Sequence, residues 1–334
     1  MSSQYKITVL GAGSWGTALA ILLAKNGHDV LLWGRSETKI NTMQAKGENS
    51  FFLPDIPLPK NLKLSANLET SLQHGDEILV VVPSHAFRDI LINIKSYQPQ
   101  LKSLCWATKG LEPESNHFLH QLVAEIFPDL ANQAVISGPT FAREVAIGLP
   151  TAVTIASNDL DYARHLSQLL CNNTFRPYVC QDMIGLEVGG AAKNVMAIAA
   201  GIADGLGYGA NTRSALITRA LHEISRLSEK MGGKNTTMMG LSGLGDLLLT
   251  CTDDQSRNRR MGLAIGKGIS MDAAQAEIGQ VVEGVQAAKL IYSLAQEQDI
   301  EMPIVEQVYK VLYQGLSPQK AVESLLTREY KTEN

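Results

Sequence analysis

Apolar residues follow two different patterns in the first half of the chain. Short runs rich in β-branched residues alternate with longer stretches in which apolar residues recur every three or four positions. The short runs predict strands at residues 6–10, 30–33, 78–82, 104–107, 135–137, 151–156 and 175–179. Helices are predicted between them, notably at residues 14–26, 85–94 and 115–127. This alternation indicates right-handed βαβ units and a mostly parallel sheet, with the last two strands at its far edge.

The pattern changes after about residue 181. Helical periodicity dominates at residues 184–206, 212–231, 243–251, 282–297 and 304–313, and no segment there predicts a strand. A chain of 334 residues is long enough for two domains of ordinary size. The sequence therefore predicts an α/β domain over residues 1–181 and an all-α domain over residues 182–334.

Composition and charge narrow the choice of partners. With 45% hydrophobic and 19% charged residues, the chain has the composition of an ordinary globular protein. Its formal net charge of −4 provides no general basic field that would attract nucleic acid. A ligand that carries phosphate must therefore be bound by a few locally placed groups.

Several features of the sequence favour a cytoplasmic protein without a membrane span. The first residues lack the charged head and long apolar stretch of a signal peptide. The most apolar segment, residues 184–203, is interrupted by Glu187, Lys193 and Asn194, which favours a buried helix. The four cysteines lack CxxC spacing, so we expect reduced, partly buried thiols, although Cys251 flanks a candidate site. No CxxC or HxxxH cluster suggests a metal, and we expect none.

A glycine-rich turn follows the first predicted strand. Gly11, Gly13 and Gly16 form the pattern G-x-G-x-x-G between that strand and an apolar helix. Gly11 permits a tight turn, Gly13 lets the backbone approach a pyrophosphate, and Gly16 allows the helix to pack closely on the strand. The helix N-terminus adds unpaired N–H groups that favour phosphate. The strand, turn and helix together predict a dinucleotide site in a Rossmann domain.

The end of the second strand bears on the choice of dinucleotide. NAD-specific folds usually place Asp or Glu there to bind the ribose hydroxyls. This chain continues instead with Gly34, Arg35 and Ser36, so that Arg35 is available for a 2′-phosphate. The sequence therefore favours NADP(H), with NAD(H) still possible. The alternative is that Arg35 is a solvated surface residue.

Lys193 and Asn194 lie in a predicted helix of small residues. A lysine among glycines and alanines is costly to bury unless it has polar partners or a chemical task. Desolvation would lower its pKa toward the range useful in general acid–base catalysis. Lys193 is therefore a candidate proton-transfer group and Asn194 a candidate substrate contact. The alternative is a structural lysine whose ammonium reaches solvent.

Two further polar groups follow in the helical half. Asp246 comes after a glycine-rich stretch and near a helix start, where it would either orient Lys193 or only cap the helix. Ser256, Arg257 and Asn258 combine a guanidinium fork with neutral hydrogen-bonding groups, which suits a phosphate monoester. The alternative for them is a basic first turn of a surface helix, which the helix dipole disfavours.

Two segments of the first half come directly after strands. Residues 106–110 contain Lys109, and residues 137–142 contain Gly138, Thr140 and Ala142. Ligands bind at the carboxyl ends of the strands in open α/β sheets. Both segments are therefore predicted to line one crevice.

The order and spacing of several blocks are more specific than any single motif. The blocks are GAGSWGTALA, VVPSHAFR, ATKGLEP, SGPTFAREVAIGLPTAV, EVGGAAKNVMAIAAGIADGLGYGANTRSALITR, LSGLGDLLLTC, SRNRRMG and VVEGV. Through them the chain resembles the NAD(P)-dependent glycerol-3-phosphate dehydrogenases of the bacterial type, over roughly residues 6–314. The resemblance implies a Rossmann domain followed by a helical domain, in a homodimer.

The resemblance also implies roles for individual residues. Dinucleotide contacts are implied for Ser14, Trp15, Arg35, Lys109, Ala142, Arg257, Val281 and Glu283. Substrate contacts are implied for Lys109, Gly138, Thr140, Asp246, Ser256, Arg257 and Asn258, with Lys193 as the proton-transfer lysine. Thr140 is often Ser in this family, and the hydroxyl is retained. Arg35 does not decide the cofactor, because the family contains users of NAD, of NADP and of both.

The implied reaction is the reversible reduction of dihydroxyacetone phosphate, a small phosphorylated three-carbon substrate, to sn-glycerol 3-phosphate. A hydride passes between the nicotinamide and the C2 carbonyl while Lys193 exchanges the proton, Asp246 holds the ammonium, and Arg257 with Asn258 anchors the phosphate. Two alternatives stay open. One is a related dehydrogenase of a hydroxy-acid, sugar-acid or acyl-CoA substrate. The other is a non-catalytic NADPH-binding protein, which would have no use for Lys193 and Asp246 together.

Overall fold

The computed structural model describes residues 4–327 of the chain. Within this range the chain divides into two compact units, one ending at Glu187 and the other beginning at Val188. The sequence places the boundary at residue 181, just before the helix in which the division falls. Residues 328–334 of the predicted second domain lie outside the described residues.

The first unit contains ten strands and seven complete helices among its described residues. The strands are β1 (Lys6–Leu10), β2 (Asp29–Trp33), β3 (Glu48–Asn49), β4 (Leu53–Pro57), β5 (Leu62–Ser65), β6 (Glu77–Val80), β7 (Ser103–Trp106), β8 (Asn132–Ser137), β9 (Thr151–Ser157) and β10 (Phe175–Cys180). The helices are α1 (Ser14–Lys25), α2 (Glu37–Lys46), α3 (Leu68–His74), α4 (Phe87–Tyr97), α5 (Leu119–Ile126), α6 (Ala142–Ile147) and α7 (Leu160–Leu170), and a 3₁₀ turn, Ser84–Ala86, precedes α4.

Eight of the strands form one sheet in the order β10-β9-β8-β7-β6-β1-β2-β5, and β3 and β4 form a separate antiparallel ribbon. All neighbours in the sheet are parallel except β8 and β9. This confirms the mostly parallel sheet with the last two strands at its far edge. The sheet separates two apolar cores, so its central strands are buried on both faces. Chain order reverses beside β1, and crevices that bind ligands form at such a point.

The helix predicted at residues 115–127 begins later, at Leu119. The Glu112 carboxylate accepts hydrogen bonds from the backbone N–H of Ser115 at 2.7 Å and from its hydroxyl at 2.6 Å. Asn116 then adopts a left-handed φ of 58°. These local bonds form a turn that competes with the helix, and a helical period alone does not reveal them.

The described residues of the second unit form helices joined by turns and loops, with no strand, which confirms the all-α prediction for residues 188–327. Its elements are α8 (Met183–Gly205), which begins in the first unit, α9 (Ala210–Lys230), α10 (Asn235–Met238), a π-helical turn (Leu241–Gly245), α11 (Asp246–Thr252), α12 (Arg257–Gly266), α13 (Met271–Ile278), α14 (Glu283–Glu297), α15 (Pro303–Tyr313) and α16 (Pro318–Leu326).

Helix α8 is the core helix of the second unit. Among the described residues it alone is long and apolar enough to cross a membrane, and 94% of its most apolar window is buried inside the protein. Most of this helix is therefore covered by the rest of the protein. Its small residues allow neighbouring backbones to approach closely, and its few polar side chains meet partners supplied by those neighbours.

Candidate active site

The glycine turn after β1 has the geometry that a dinucleotide requires. Gly11 has a left-handed φ of 127°, and a Cβ atom there would lie 2.4 Å from the Val81 carbonyl oxygen. A Cβ on Gly16 would lie 1.9 Å from the Gly11 carbonyl oxygen, so only glycine allows α1 to start so close to β1. A Cβ on Gly13 would meet no protein atom within 4 Å. The space over Gly13 and the first turn of α1 is therefore open to a pyrophosphate, and the residues fit this group.

The residues after Gly13 are held by the β3–β4 ribbon. The Ser14 hydroxyl donates to the Phe52 carbonyl oxygen at 2.8 Å. Asn49, which is 1% exposed, donates through Nδ2 to the Ala12 carbonyl oxygen at 3.0 Å and to the Thr17 hydroxyl at 2.8 Å. Sequence reasoning missed Asn49 because its partners lie more than thirty residues away. Its amide fixes the shape of the glycine turn.

Trp15 offers a polar atom to a ligand at the same turn. Its indole Nε1 is buried and has no hydrogen-bond partner within the protein. A buried N–H without a partner is costly, which favours a bound acceptor at this place. Nearby in sequence, Arg35 is exposed and follows β2 and Gly34, while the Ser36 side chain caps α2. The positions of Trp15 and Arg35 are compatible with the predicted cofactor contacts.

The segments after β7 and β8 contact each other. The Lys109 ammonium donates to the Gly138 carbonyl oxygen at 3.4 Å. The Thr140 hydroxyl donates to the same oxygen at 3.2 Å. Gly138 has a left-handed φ of 149°, and a Cβ there would lie 3.0 Å from the Cα atom of Val153, so the turn requires glycine. Ala142 is the first residue of α6.

The second unit brings Lys193 and Asp246 into a buried ion pair. Lys193 Nζ donates to Asp246 Oδ1, and the two side chains are 10% and 1% exposed. Lys193 also donates to the Thr250 hydroxyl at 3.1 Å, and that hydroxyl donates to the Asp246 carbonyl oxygen at 2.6 Å. The alternative in which the ammonium only reaches for solvent is therefore wrong. A buried ammonium held by a carboxylate and a hydroxyl is oriented for proton exchange.

Asp246 does not cap α11. The residue has helical dihedral angles and follows the π-helical turn directly, and Gly245 occupies the cap position. The interpretation of Asp246 as only a helix cap is therefore wrong. Thr250 lies four residues further along α11, on the same face, so both side chains meet Lys193. Sequence reasoning missed Thr250, although the spacing of four from Asp246 was a usable signal.

The pairing of Lys193 with Asp246 depends on a glycine one turn earlier. A Cβ on Gly189 would lie 2.6 Å from the Ser242 carbonyl oxygen, so the π-helical turn packs directly on the α8 backbone. Lys193 follows Gly189 by four residues, as Asp246 follows Ser242. The close contact at Gly189 thus places the two charged side chains against each other.

Asn194 and Asn258 form a second buried polar contact. Asn258 Nδ2 donates to Asn194 Oδ1 at 2.9 Å, and Asn258 Oδ1 accepts from the backbone N–H of Gly284 at 2.8 Å. Asn194 is 5% and Asn258 9% exposed. The structure therefore brings these two predicted substrate contacts together and links α8, α12 and α14.

The remaining predicted residues of the second unit lie around the start of α12. The Ser256 side chain caps this helix, accepting from the Arg259 N–H at 3.2 Å. Arg257 is half-buried and donates through Nη1 to the Val281 carbonyl oxygen at 2.8 Å. Glu283 begins α14 two residues later. Arg257 is thus held beside the other two residues, Val281 and Glu283, that were predicted to contact the cofactor from this half.

Cys251 lies next to this site but is chemically inert. All four cysteines are free, and Cys251 is 1% exposed. Burial raises the pKa of its thiol to about 12. A thiol with this pKa stays protonated and does not act as a nucleophile at neutral pH.

Glu187, at the start of α8, receives three donors that the sequence did not reveal. The Trp106 indole N–H donates to it at 3.0 Å, the His120 backbone N–H at 3.1 Å, and His120 Nδ1 donates to the other carboxylate oxygen. Burial disfavours the His120 imidazolium, but its hydrogen bond and charge interaction with Glu187 outweigh burial and raise the pKa of His120 above its usual value. Glu187 thereby ties the first turn of α8 to β7 and α5.

The chain is similar to known proteins over its whole length. Family models of the NAD-dependent glycerol-3-phosphate dehydrogenase N-terminus and C-terminus match residues 6–163 and 182–323. The chain is 53% identical to a glycerol-3-phosphate dehydrogenase (NAD(P)+) of Colwellia psychrerythraea, with 100% of both chains covered. It is also 53% identical to that of Bartonella tribocorum, with 98% of each covered.

A solved structure supports the same assignment. The crystal structure of glycerol-3-phosphate dehydrogenase from Coxiella burnetii is 47% identical and matches with a TM-score of 0.94, covering 97% of this chain and 99% of that one. Family models over both parts of the chain, full-length relatives and this structure all agree. The chain belongs to the NAD(P)-dependent glycerol-3-phosphate dehydrogenase family.

Proposed function

We propose that the protein reversibly reduces dihydroxyacetone phosphate to sn-glycerol 3-phosphate with NAD(P)H, and so supplies the backbone of glycerophospholipids. The observation that carries this proposal is the buried triad of Lys193, Asp246 and Thr250, in a chain whose first unit has a nucleotide-binding turn. A non-catalytic nucleotide-binding protein would gain nothing from burying an ion pair at this cost.

Lys193 is the proton-transfer group in this proposal. The nicotinamide, when bound, supplies or accepts the hydride. Lys193 donates a proton to the carbonyl oxygen as negative charge develops, and it removes that proton in the reverse direction. Asp246 and Thr250 keep the ammonium in one orientation, which lowers the entropic cost of reaching the transition state.

Arg257 anchors the substrate phosphate in this proposal, together with Ser256 and Asn258 on the same helix start. A guanidinium binds phosphate through paired, charge-assisted hydrogen bonds. Its side chain is already oriented by the Val281 carbonyl oxygen, which leaves less conformational entropy to lose. The substrate contacts proposed in the first unit are Lys109, Gly138 and Thr140. The Lys109 ammonium and the Thr140 hydroxyl both donate to the Gly138 carbonyl oxygen.

We propose NADP(H) as the preferred cofactor. The support is the exposed Arg35 after β2, where NAD-specific folds usually carry a carboxylate. The other proposed cofactor contacts are Gly11, Gly13, Ser14, Trp15, Gly16, Lys109, Ala142, Arg257, Val281 and Glu283. No metal takes part in the proposed reaction.

A homodimer in the cytoplasm is also proposed. The dimer rests on the resemblance to the family, and the location rests on the four free cysteines, two of them buried, and on the packing of α8. Light scattering after size-exclusion chromatography measures the mass directly. A mass near 36.2 kDa, that of one chain, would contradict the dimer.

The experiment that tests the function is an assay of NADPH and NADH oxidation with four substrates. We expect rapid oxidation with dihydroxyacetone phosphate and little with unphosphorylated dihydroxyacetone, a 2-oxo acid or a keto sugar acid. Preference for either acid would support a related dehydrogenase of another substrate. Binding of NADPH or NADH without turnover of any of the four substrates would support the non-catalytic alternative.

A further inference from the structure

Helices α8 and α12 approach each other through glycines on both sides. Gly201 and Gly205 of α8 are four residues apart, as are Gly262 and Gly266 of α12, so each pair lies on one helix face. A Cβ on Gly201 would lie 2.1 Å from the Arg259 carbonyl oxygen. No side chain other than hydrogen fits there unless the helices move apart.

The same close contact repeats on the facing helix and one turn further on. A Cβ on Gly262 would lie 2.0 Å from the Ile198 carbonyl oxygen. At the next turn, a Cβ on Gly205 would lie 2.5 Å from the Leu263 carbonyl oxygen, and one on Gly266 2.4 Å from that of Ile202. The contacts advance together along both helices, so the helices run parallel.

The polar groups of the proposed site lie at one end of this glycine contact. Lys193 and Asn194 precede Gly201 by about two turns on α8, and Arg257 and Asn258 precede Gly262 by about one turn on α12. The hydrogen bond between the two asparagines, 2.9 Å long, joins the helices at that end. Lys193 and Arg257 are each next in sequence to one of these asparagines, so the separation of the two helices sets the separation of their backbones.

An ion pair fixes the same two helices along their contact. Arg259 Nη1 of α12 lies 2.8 Å from Asp204 Oδ2 of α8, and the two side chains are 10% and 9% exposed. Arg213 Nη1 lies 2.8 Å from the same oxygen. A buried pair with a second partner resists sliding of one helix along the other, so the glycine contact has one register.

We propose that the four glycines are positioning residues that set the distance between Lys193 and Arg257 and thereby select the chain length of the substrate. This inference rests on the proposed function, in which Lys193 serves the carbonyl oxygen and Arg257 the phosphate. One methylene separates the carbonyl carbon from the phosphate ester oxygen in dihydroxyacetone phosphate. Packed interiors deform little, so a fixed spacing between donor and anchor admits one length.

Two phosphonates of different length test the inference. (4-Hydroxy-3-oxobutyl)phosphonate has the length of dihydroxyacetone phosphate, and (5-hydroxy-4-oxopentyl)phosphonate is one methylene longer. We expect the wild type to prefer the shorter in kcat/KM by about 10- to 200-fold, the range that one methylene is worth in a shaped pocket. Gly262→Ala should lower this ratio by at least about tenfold, because a misplacement of about 1 Å costs about 10²-fold for the substrate that fitted.

Gly209→Ala is the matched control, since a Cβ on Gly209 would meet nothing within 4 Å. It should keep the wild-type ratio. Gly266→Ala, one turn further from the asparagines, should change the ratio in the same direction by less. Thermal unfolding checks that each variant is folded.

Two outcomes overturn the inference. The first is an unchanged ratio in folded Gly262→Ala, or in folded Gly266→Ala if the first variant does not fold; equal losses on both phosphonates are this result, since a purely structural defect lowers both rates alike. The second is a wild type with equal kcat/KM for the two phosphonates, which contradicts selection by length whether or not the variants fold. A wild type that does not reduce dihydroxyacetone phosphate would overturn the proposed function instead, and that result needs no variant.

Discussion

At the scale of single residues, the orientation of Lys193 depends on a hydroxyl as well as on a carboxylate. Thr250→Val keeps the shape of the side chain but removes the oxygen that accepts from the ammonium at 3.1 Å. Hydrogen bonds to charged groups are worth about 1.5–3 kcal/mol. We expect kcat to fall about tenfold, because the ammonium loses a contact that orients it, while KM for the cofactor stays within about twofold.

Thr252→Val is the matched control for this prediction. Thr252 lies on the same helix and donates to a carbonyl oxygen four residues earlier, at 2.8 Å, but it is exposed. The control should keep the wild-type kcat. Equal kcat values for the two variants would mean that Thr250 does not orient Lys193.

Arg35 is the residue on which the proposed cofactor preference depends. Arg35→Asp removes the proposed partner of the 2′-phosphate and supplies the carboxylate that a ribose hydroxyl prefers. The ratio of kcat/KM for NADPH to that for NADH should fall about ten- to a hundredfold, the equivalent of one charge-assisted contact. Lys102→Asp makes the same charge change at the amino end of β7, on the opposite edge of the sheet from the ligands, and should leave the ratio unchanged. A ratio that moves equally in both variants would remove the basis for NADP(H).

At the scale of elements, Glu187 at the start of α8 accepts hydrogen bonds from Trp106 of β7 and His120 of α5. The raised pKa of His120 predicts how this attachment depends on pH. A folded-state pKa above the unfolded value of about 6.5 adds stability below that value, and the contribution is lost as pH rises through the folded-state pKa. His120→Gln should therefore lower the free energy of unfolding more at pH 5.5 than at pH 8.5, as measured by urea denaturation.

His117→Gln provides the comparison, because His117 lies in the same segment but is exposed. Its Nδ1 lies 4.0 Å from Glu125 Oε2, which is too far for a hydrogen bond. Its difference from the wild type should be small and similar at both pH values. If His120→Gln costs the same at pH 5.5 and pH 8.5, the imidazolium does not contribute to holding α8.

Elements with a strong apolar period were predictable, and those shaped by local polar bonds were not. Strands β1, β2 and β6 to β9 contain buried runs that the sequence indicates, with small errors at their ends. Strand β10 was also indicated by its β-rich run, although only Phe175 in it is buried. Strand β5, Leu62–Ser65, has only one buried residue and was missed. Helices α2 and α7 begin at side-chain caps, Ser36 and Asp159, and are not among the helices named from the sequence. The apolar face of α2 is narrow, with only Ile40 and Met43 buried, so tertiary packing decides it. Helix α7 buries residues at helical spacing, among them Tyr162, Leu166 and Leu169, so its pattern was a usable signal.

At the scale of the whole molecule, the sequence indicated the candidate site residues better than it indicated the side chains that contact them. The glycine turn, Lys193 and Asp246 were recognisable from residue type and setting. Thr250, Glu187 and Asn49 were not, because each acts through a contact that only the folded chain creates. A glycine's use in helix packing is equally hidden, since its neighbours belong to other helices.

The central claim is that Lys193 exchanges the proton with the substrate oxygen, and the kcat of Lys193→Ala for reduction of dihydroxyacetone phosphate tests it most directly. General acid–base groups contribute about 10²–10⁴-fold, so kcat should fall by at least that much while the Kd for NADPH, from fluorescence titration, stays nearly unchanged. Lys289→Ala, which removes an exposed lysine of α14, should retain full activity. A Lys193→Ala enzyme that keeps more than about a tenth of the wild-type kcat would contradict the account.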